Sequence, residues 1–253
     1  MEELLSKLES LAVDIRRKIS EISGPPNEKQ YKIITLFFFI KSWRTFQSIR
    51  LLCSKKLSED ADILLRSLFE VVVNLKYISM DWQKRIELFI GYDYVQRQKL
   101  LDKLKTLGDP LADKILQSSP EVVREVLNVY SKLRDDYPNM LRWSNKSIEA
   151  MAKDVGLEKH YIIYRVLSDH VHPSPRATLK YFSQGPAGIV VGPSPSDDDI
   201  ARHLHTTCVY FLIICDHANE LFALGFDGRI KEINGQLLTL GKAHVEKDKG
   251  HDD

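Results

Sequence analysis

The residues best suited to chemistry lie close together in one stretch, residues 161–176, which reads YIIYRVLSDHVHPSPR. At helical spacing, two tyrosines, an arginine, a serine and a histidine fall within one face: Tyr161, Tyr164, Arg165, Ser168 and His172. A histidine can move a proton at neutral pH, and an arginine can hold a phosphate or another anion. The pattern is typical of one wall of a site. A helix end held by local hydrogen bonds, with Arg165 in a salt bridge, explains the same residues without a function.

The same stretch is predicted to form a helix over 157–172 that packs through its other side. The residues opposite the polar face are aliphatic: Ile162, Ile163, Val166 and Leu167. Pro173 ends the helix, because its ring cannot continue the hydrogen-bond ladder and disfavours helical geometry at His172.

A polar seam runs along a second predicted helix, over 58–79. Its members recur at every fourth position in an otherwise apolar segment: Asp62, Arg66, Glu70 and Asn74. Charges in apolar surroundings must be paired or wetted, so the seam needs partners. A ladder of ion pairs within the helix is one interpretation, and a cleft shared with Arg165 and His172 is the other. The apolar character of this segment predicts the most buried helix, in contact with the helix over 157–172.

These two segments, ILLRSLFEVVVNLKYI and YIIYRVLSDHVHPSPRATLKYF, resemble a bacterial all-helical family catalogued as domain of unknown function 5677. The resemblance covers about 58–182. It is carried by Arg66-x-x-x-Glu70 and by Tyr164–Arg165-x-x-Ser168-x-x-x-His172–Pro173. It implies an all-helical fold and brings no assigned activity.

Arg165 and His170 are separated by four residues, which resembles the Arg-x4–6-His motif of HEPN helical-bundle ribonucleases. That resemblance implies metal-independent cleavage of RNA to a cyclic phosphate, usually at a two-fold dimer interface, in a toxin or phage-defence role. Arg165 with His170 or His172 would be catalytic. Five residues would support or bind: Arg66, Glu70, Tyr161, Tyr164 and Ser168. Val166 departs from the polar residue that usually follows the arginine.

Three functions stay open from the sequence. The first is an RNA-cleaving or RNA-binding protein. The second is a non-enzymatic helical scaffold or regulatory subunit. The third is a small-ligand or nucleotide pocket lined by four residues: Arg66, Glu70, Arg165 and His172. The expected partners are accordingly RNA, a second copy of the chain in a homodimer, or a protein encoded by a neighbouring gene.

No cofactor or metal is expected, because the sequence lacks a glycine-rich phosphate loop, a GxSxG elbow, an HExxH motif and a zinc-ligand pattern. His203, His205 and His217 are interpreted as ordinary helix histidines, with a metal site as a minor alternative.

Composition sets the wider limits. The 253 residues are 43% hydrophobic and 28% charged, as in ordinary globular proteins, and the formal net charge of +1 gives no global attraction to nucleic acid. Three cysteines without a CxxC pair fit a reducing compartment. The apolar runs are too short to span a bilayer, and the N-terminus does not read as a signal peptide. We therefore expect a cytoplasmic protein with no membrane partner.

Helical periodicity from end to end predicts an all-α fold, a multi-helix bundle with one small hairpin or ordered loop near 185–193. We expect a single domain over 1–244 and a disordered tail over 245–253. In the predicted helix over 28–52, the main core-facing stripe is expected to consist of five apolar residues: Ile33, Leu36, Phe37, Ile40 and Trp43.

Overall fold

The computed structural model describes the chain apart from residues 20, 108–109, 138–141, 172–180, 186–187, 193–196 and 250–253. It describes the backbone alone at 111–112, 115–116, 169–171, 183–184, 197 and 243–249. Helices dominate the described residues, which confirms the predicted all-α fold. They run over Glu2–Lys18 (α1), Pro26–Ser54 (α2), Ser58–Ser79 (α3), Trp82–Leu107 (α4), Pro110–Ser118 (α5), Pro120–Leu133 (α6), Ile148–Asp154 (α7), Glu158–Val171 (α8), Asp197–Leu221 (α9) and Asp227–Lys249 (α10). A short 3-10 turn, Arg134–Asp136, follows α6.

A small hairpin interrupts the helices, as predicted, although it begins earlier than the expected range of 185–193. Strands Phe182–Gly185 (β1) and Gly188–Val191 (β2) pair antiparallel, with Phe182 opposite Val191. Gly188 has a φ of +121°, a conformation that residues with a side chain rarely adopt.

The chain divides into two compact units, Met1–Tyr77 with Ala152–Asp253 and Ile78–Met151. The expectation of a single domain over 1–244 stays a prediction. In the first unit α9 lies at the centre and packs against α1, α2 and α10. The ring of Phe211 on α9 is fully buried and lies 4.8 Å from that of Phe46 and 6.2 Å from that of Phe39, both on α2. Stacked aromatic rings thus form the middle of this core.

In the second unit, α4 packs against α5 and α6. The Tyr137 hydroxyl, on a buried side chain, donates a 2.6 Å hydrogen bond to the backbone oxygen of Leu88. A Cβ atom at Gly91 would come within 2.6 Å of that hydroxyl, so this turn of α4 has room for a hydrogen atom alone. Phe89 and Trp143 meet edge to face, with centroids 5.3 Å apart.

The orientation of α2 differs from the prediction. The helix buries Tyr31, Phe38 and Ile49, whereas Ile33, Phe37 and Ile40 are exposed. Because α2 carries apolar residues on most of its circumference, periodicity could not decide which side faces α9. Packing of Phe38, Phe39 and Phe46 turned part of the predicted core stripe towards solvent.

The last helix is longer than predicted. α10 continues to Lys249, so helix covers the first part of the segment 245–253 that was expected to be disordered, and 250–253 lie outside the described residues. No described helix is both long and apolar enough to span a lipid bilayer.

The three cysteines are free thiols, and all of them are buried. Burial raises the pKa of Cys53 to about 11 and that of Cys208 to about 12, and it raises the pKa of Cys215 as well. The thiols therefore remain protonated at neutral pH.

Candidate functional site

Two helices of the first unit meet through a polar cluster, which we call the Arg66 cluster: Arg66 and Glu70 of α3 with Tyr164 and Ser168 of α8. Arg66 donates from Nε to Ser168 Oγ at 3.0 Å and from Nη2 to the Tyr164 hydroxyl at 2.9 Å. The Tyr164 hydroxyl donates in turn to Glu70 Oε1 at 2.8 Å. The predicted contact between these two helices is therefore confirmed.

Helical spacing explains how four side chains converge. Arg66 and Glu70 are four residues apart on α3, and so are Tyr164 and Ser168 on α8, so each pair projects from one face of its helix. Ser168 also donates from Oγ to the backbone oxygen of Tyr164 at 2.7 Å, which fixes its hydroxyl to accept from Arg66. The interaction of Arg66 with Glu70 alone is a longer 3.4 Å ion pair.

The Arg66 cluster is half-buried. The side chains of Arg66 and Glu70 are 26% and 38% exposed, and the guanidinium carbon lies 4.8 Å from the centroid of the Tyr164 ring. Burial and the acceptor Glu70 raise the pKa of Tyr164, against the opposing influence of Arg66. The phenol therefore stays protonated and available as a donor. As arranged, the four groups satisfy one another and join α3 to α8.

The remaining predicted site residues occupy different surroundings. Tyr161 stacks on Tyr164 with centroids 5.4 Å apart, so it supports the Arg66 cluster. Arg165 is exposed and has no ion pair or hydrogen bond within the described part of the chain. His170 lies in α8, where the structure describes its backbone alone. His172 lies outside the described residues. The structure thus pairs the α3 seam with Tyr164 and Ser168 and not with Arg165, while the expected contribution of His172 stays a prediction.

The aliphatic face of α8 corrects the sequence analysis. Ile162 is 66% exposed and Val166 is 48% exposed, with Ile163 also exposed, whereas Tyr164 and Leu167 are buried. The physical reason lies in α3, where the part-buried Arg66 and Glu70 require hydrogen-bond partners that aliphatic side chains cannot supply. Tyr164 also fits against the ring of Phe69, 5.4 Å away. Of the four residues expected to pack, only Leu167 does so.

The other end of the polar seam holds a pair that sequence reasoning missed. The side chain of Asp62 is only 1% exposed, and its carboxylate contacts Nε2 of His203 on α9. Nδ1 of His203 faces the backbone oxygen of Asp199. The two partners are 141 residues apart, and no spacing in the sequence links them. The polar seam on α3 was the only available signal, because a buried carboxylate demands a partner somewhere.

The histidines considered for a metal site are engaged in other contacts. The Tyr31 hydroxyl lies 2.8 Å from His217 Nε2, and His205 donates from Nε2 to the Leu237 oxygen at 2.9 Å. Burial and the charge of Lys76 lower the pKa of His217 to about 4, so this ring is neutral in its contact with Tyr31. Within the described ranges, no group of three His, Cys, Asp or Glu side chains is placed to hold a metal ion.

The fold and the Arg66 cluster define an all-helical protein in which an Arg–Glu pair of one helix is bound by a Tyr–Ser pair of another. Residues 32–189, more than half of the chain, match the family of unknown function DUF5677. The chain belongs to that family. The match includes α3, α8 and therefore all four members of the Arg66 cluster. Searches of curated proteins and of solved structures gave no match.

Proposed function

We propose that this protein binds and cleaves RNA without a metal ion, at a site that contains Arg165 and is completed by a second copy of the chain. The observation that carries the proposal is the state of Arg165, which is exposed on α8 between the exposed side chains of Ile162 and Val166. Among the described residues the Arg165 guanidinium has no partner, and a guanidinium at an exposed position is a good ligand for a phosphodiester. Exposed aliphatic residues beside it favour a surface that another molecule covers.

The chemistry requires a proton carrier beside the arginine. In the proposed reaction the ribose 2′ oxygen attacks phosphorus, a histidine takes its proton, and the bond from phosphorus to the 5′ oxygen breaks as that oxygen gains a proton. The products are a cyclic phosphate and a 5′ hydroxyl. Arg165 would stabilise the charge that develops on the phosphoryl oxygens. His170 and His172 are the proposed proton carriers.

Helical geometry favours a site that contains residues from two copies of the chain. Position 170 lies about 140° around the helix axis from position 165, so one α8 does not bring the two positions to one face. Two copies related by a two-fold axis at α8 would combine Arg165 of one with His170 of the other. His172, which follows the last residue of α8, is the alternative proton carrier.

The decisive experiment follows cleavage of an end-labelled single-stranded RNA by the purified full chain in the presence of a chelator. We expect wild-type protein to produce a 2′,3′-cyclic phosphate end. Arg165→Ala should lower the rate by about 100-fold or more, which is the usual contribution of a phosphate-stabilising or proton-transferring group. His170→Ala and His172→Ala identify which histidine contributes.

Lys159→Ala is the matched control, because it removes an exposed positive charge from the same helix. Its rate should stay within about threefold of wild type, as expected when only a diffuse surface charge is lost. If cleavage survives in all three alanine variants, at Arg165, His170 and His172, these residues do not take part in the mechanism. RNA binding without cleavage, weakened by Arg165→Ala, would retain the binding half of the proposal.

A second candidate function is a non-enzymatic scaffold, and the closure of the Arg66 cluster favours it. Arg66, Tyr164 and Ser168 bond to one another and to Glu70, an arrangement suited to holding two helices together. Absence of RNA cleavage and of RNA binding in wild-type protein, with loss of stability in Arg66→Met, would support this candidate over the first.

A further inference from the structure

An apolar groove between α2 and α3 lies open to solvent in the first unit. It has a volume of about 630 Å³ and is lined mainly by large apolar side chains: Ile33, Leu36, Phe37, Ile40 and Leu64. Phe37 is 51% exposed, and Ile33 and Ile40 are exposed to a similar degree. Single exposed aliphatic residues are ordinary, but a contiguous row with an aromatic ring at its centre marks a surface that another molecule covers.

The row has the dimensions of a helix-binding site. Ile33, Phe37, Ile40 and Arg44 follow one another at spacings of four, three and four residues, so they form one line along α2. Leu64 of α3 forms the opposite wall. The lined part of α2, from Ile33 to Ser48, is about 22 Å long, which matches four turns of a partner helix. An amphipathic helix seated in such a groove places residues at i, i+3 or i+4, and i+7 against it.

The charge beside the groove indicates which kind of partner helix would bind there. Lys41 and Arg44 border the apolar row, and its described lining contains no carboxylate. Neither cation has an ion-pair partner within the described part of the chain. The neighbouring hydroxyls of Thr45 and Ser48 are already engaged, because they donate to the backbone oxygens of Lys41 and Arg44. α2 as a whole carries five Lys or Arg residues and one Glu.

The same charges disfavour a second copy of this chain as the occupant. A two-fold contact at the groove would set Lys41 and Arg44 of one copy close to the same pair of the other, with no carboxylate in the described lining to separate them. A partner of opposite charge meets no such repulsion.

We propose that the groove between α2 and α3 binds an acidic amphipathic helix of a partner protein. The apolar stripe of that helix lies on Ile33, Phe37 and Ile40, and flanking carboxylates pair with Lys41 and Arg44. This inference is independent of the RNA site, because the groove includes no residue of α8.

The test uses two fluorescent peptides of about 18 residues, long enough to form a helix on binding. Both carry the same leucine stripe at i, i+3 or i+4, and i+7, but one has glutamates beside the stripe and the other has lysines. Fluorescence anisotropy with the full chain should show at least about tenfold tighter binding of the glutamate peptide. The preference should shrink as salt is added, because the pairs at the rim are exposed.

Phe37→Glu should weaken the binding of the glutamate peptide by at least about tenfold. Leu238→Glu is the matched control, since Leu238 is 60% exposed on α10 and lies away from the groove. The double variant Lys41→Glu with Arg44→Glu should reverse the preference towards the lysine peptide. Far-ultraviolet circular dichroism checks that each variant remains folded.

Several results would overturn the proposal. These are equal affinity for both peptides, no binding of either up to about 1 mM, or binding that Phe37→Glu does not change. Self-association of the wild-type chain that Phe37→Glu abolishes would assign the groove to a second copy. Laurate that binds in the groove and excludes the glutamate peptide would assign it to an anionic amphiphile.

Discussion

At the scale of single residues, Asp62 and His203 form a buried contact whose proton positions follow from the geometry. Nε2 of His203 faces the Asp62 carboxylate and Nδ1 faces the Asp199 backbone oxygen, so both ring nitrogens meet acceptors. Only the doubly protonated imidazolium can donate to both. Burial by itself lowers the pKa of His203, but the hydrogen bond and charge of Asp62 and the contacts with Asp199 outweigh it and raise the pKa.

The Asp62–His203 pair makes stability depend on pH. A histidine whose pKa is raised on folding stabilises the folded state below its unfolded pKa of about 6.5, and this contribution disappears as pH rises through the higher folded pKa. His203→Gln should therefore lower the free energy of unfolding by about 1.5–3 kcal/mol at pH 6, and by less at each higher pH. Urea unfolding from pH 6 to pH 9 measures the difference from wild type.

The comparison between wild type and variant is needed because other histidines act in the opposite sense. The pKa of His217 is lowered to about 4, mainly by burial, so its contribution is lost as pH falls below about 6.5. The same loss occurs in both proteins and cancels. A wild-type–variant difference that stays constant from pH 6 to pH 9 would show that His203 is not charged in the folded protein.

Sequence reasoning found the need of these residues for partners but not the partners. The spacing of Asp62, Arg66 and Glu70 on an apolar helix correctly predicted that α3 requires polar contacts. Their targets lie about 100 residues or more along the chain, at Tyr164, Ser168 and His203. Such pairing depends on how helices turn against one another, which no local pattern contains.

At the scale of helices, α9 owes its central position to aromatic packing. Phe211 is fully buried between the rings of Phe39 and Phe46. Phe211→Ala should lower the free energy of unfolding by about 3–5 kcal/mol, because it removes a buried ring and leaves a cavity. Leu238→Ala, at an exposed position on α10, should change it by no more than about 0.5 kcal/mol. Urea unfolding of both variants tests this; a loss below 1 kcal/mol for Phe211→Ala would contradict the central role of the ring.

Helix boundaries were predictable where capping or helix-breaking residues mark them, whereas the buried face of a helix was not. α3 has the predicted limits of 58–79, since Ser58 followed by two acids begins it. The faces of α2 and α8 differ from prediction because each helix offers two apolar or mixed sides. In both cases a neighbouring helix decided, through Phe211 for α2 and through Arg66 for α8.

At the scale of the whole molecule, the exposed face of α8 leads to a prediction about assembly. If two copies meet there, the protein is a dimer in solution, and Val166→Asp should raise its dissociation constant by at least about tenfold by placing a charge in an apolar contact. Sedimentation velocity over a range of concentrations measures this. Leu238→Asp serves as control, and it should leave the dimer intact.

A wild-type chain that stays monomeric at about 100 μM would remove the second copy from the proposed RNA site. The glutamate-peptide test is unaffected by that result, since the groove and α8 share no residue. The two surfaces can therefore be assessed separately.

The all-α class was readable from the sequence because helical periodicity persists from α1 to α10, and the hairpin was readable from its glycines and prolines. The two compact units were not, because no linker or change in composition marks residues 77–78 or 151–152. Local composition records the class of each segment, whereas compactness depends on contacts between segments that are distant in the chain.

The three buried cysteines have a further consequence for how this molecule can be studied. Cys53 on α2 and Cys208 and Cys215 on α9 are shielded and protonated, and thiolate is the form that alkylating reagents attack. In the folded state all three are inert for two reasons at once. Each alkylation event therefore records an opening of the α2–α9 core. The rate of cysteine alkylation measures how often this core opens, and no added label is needed.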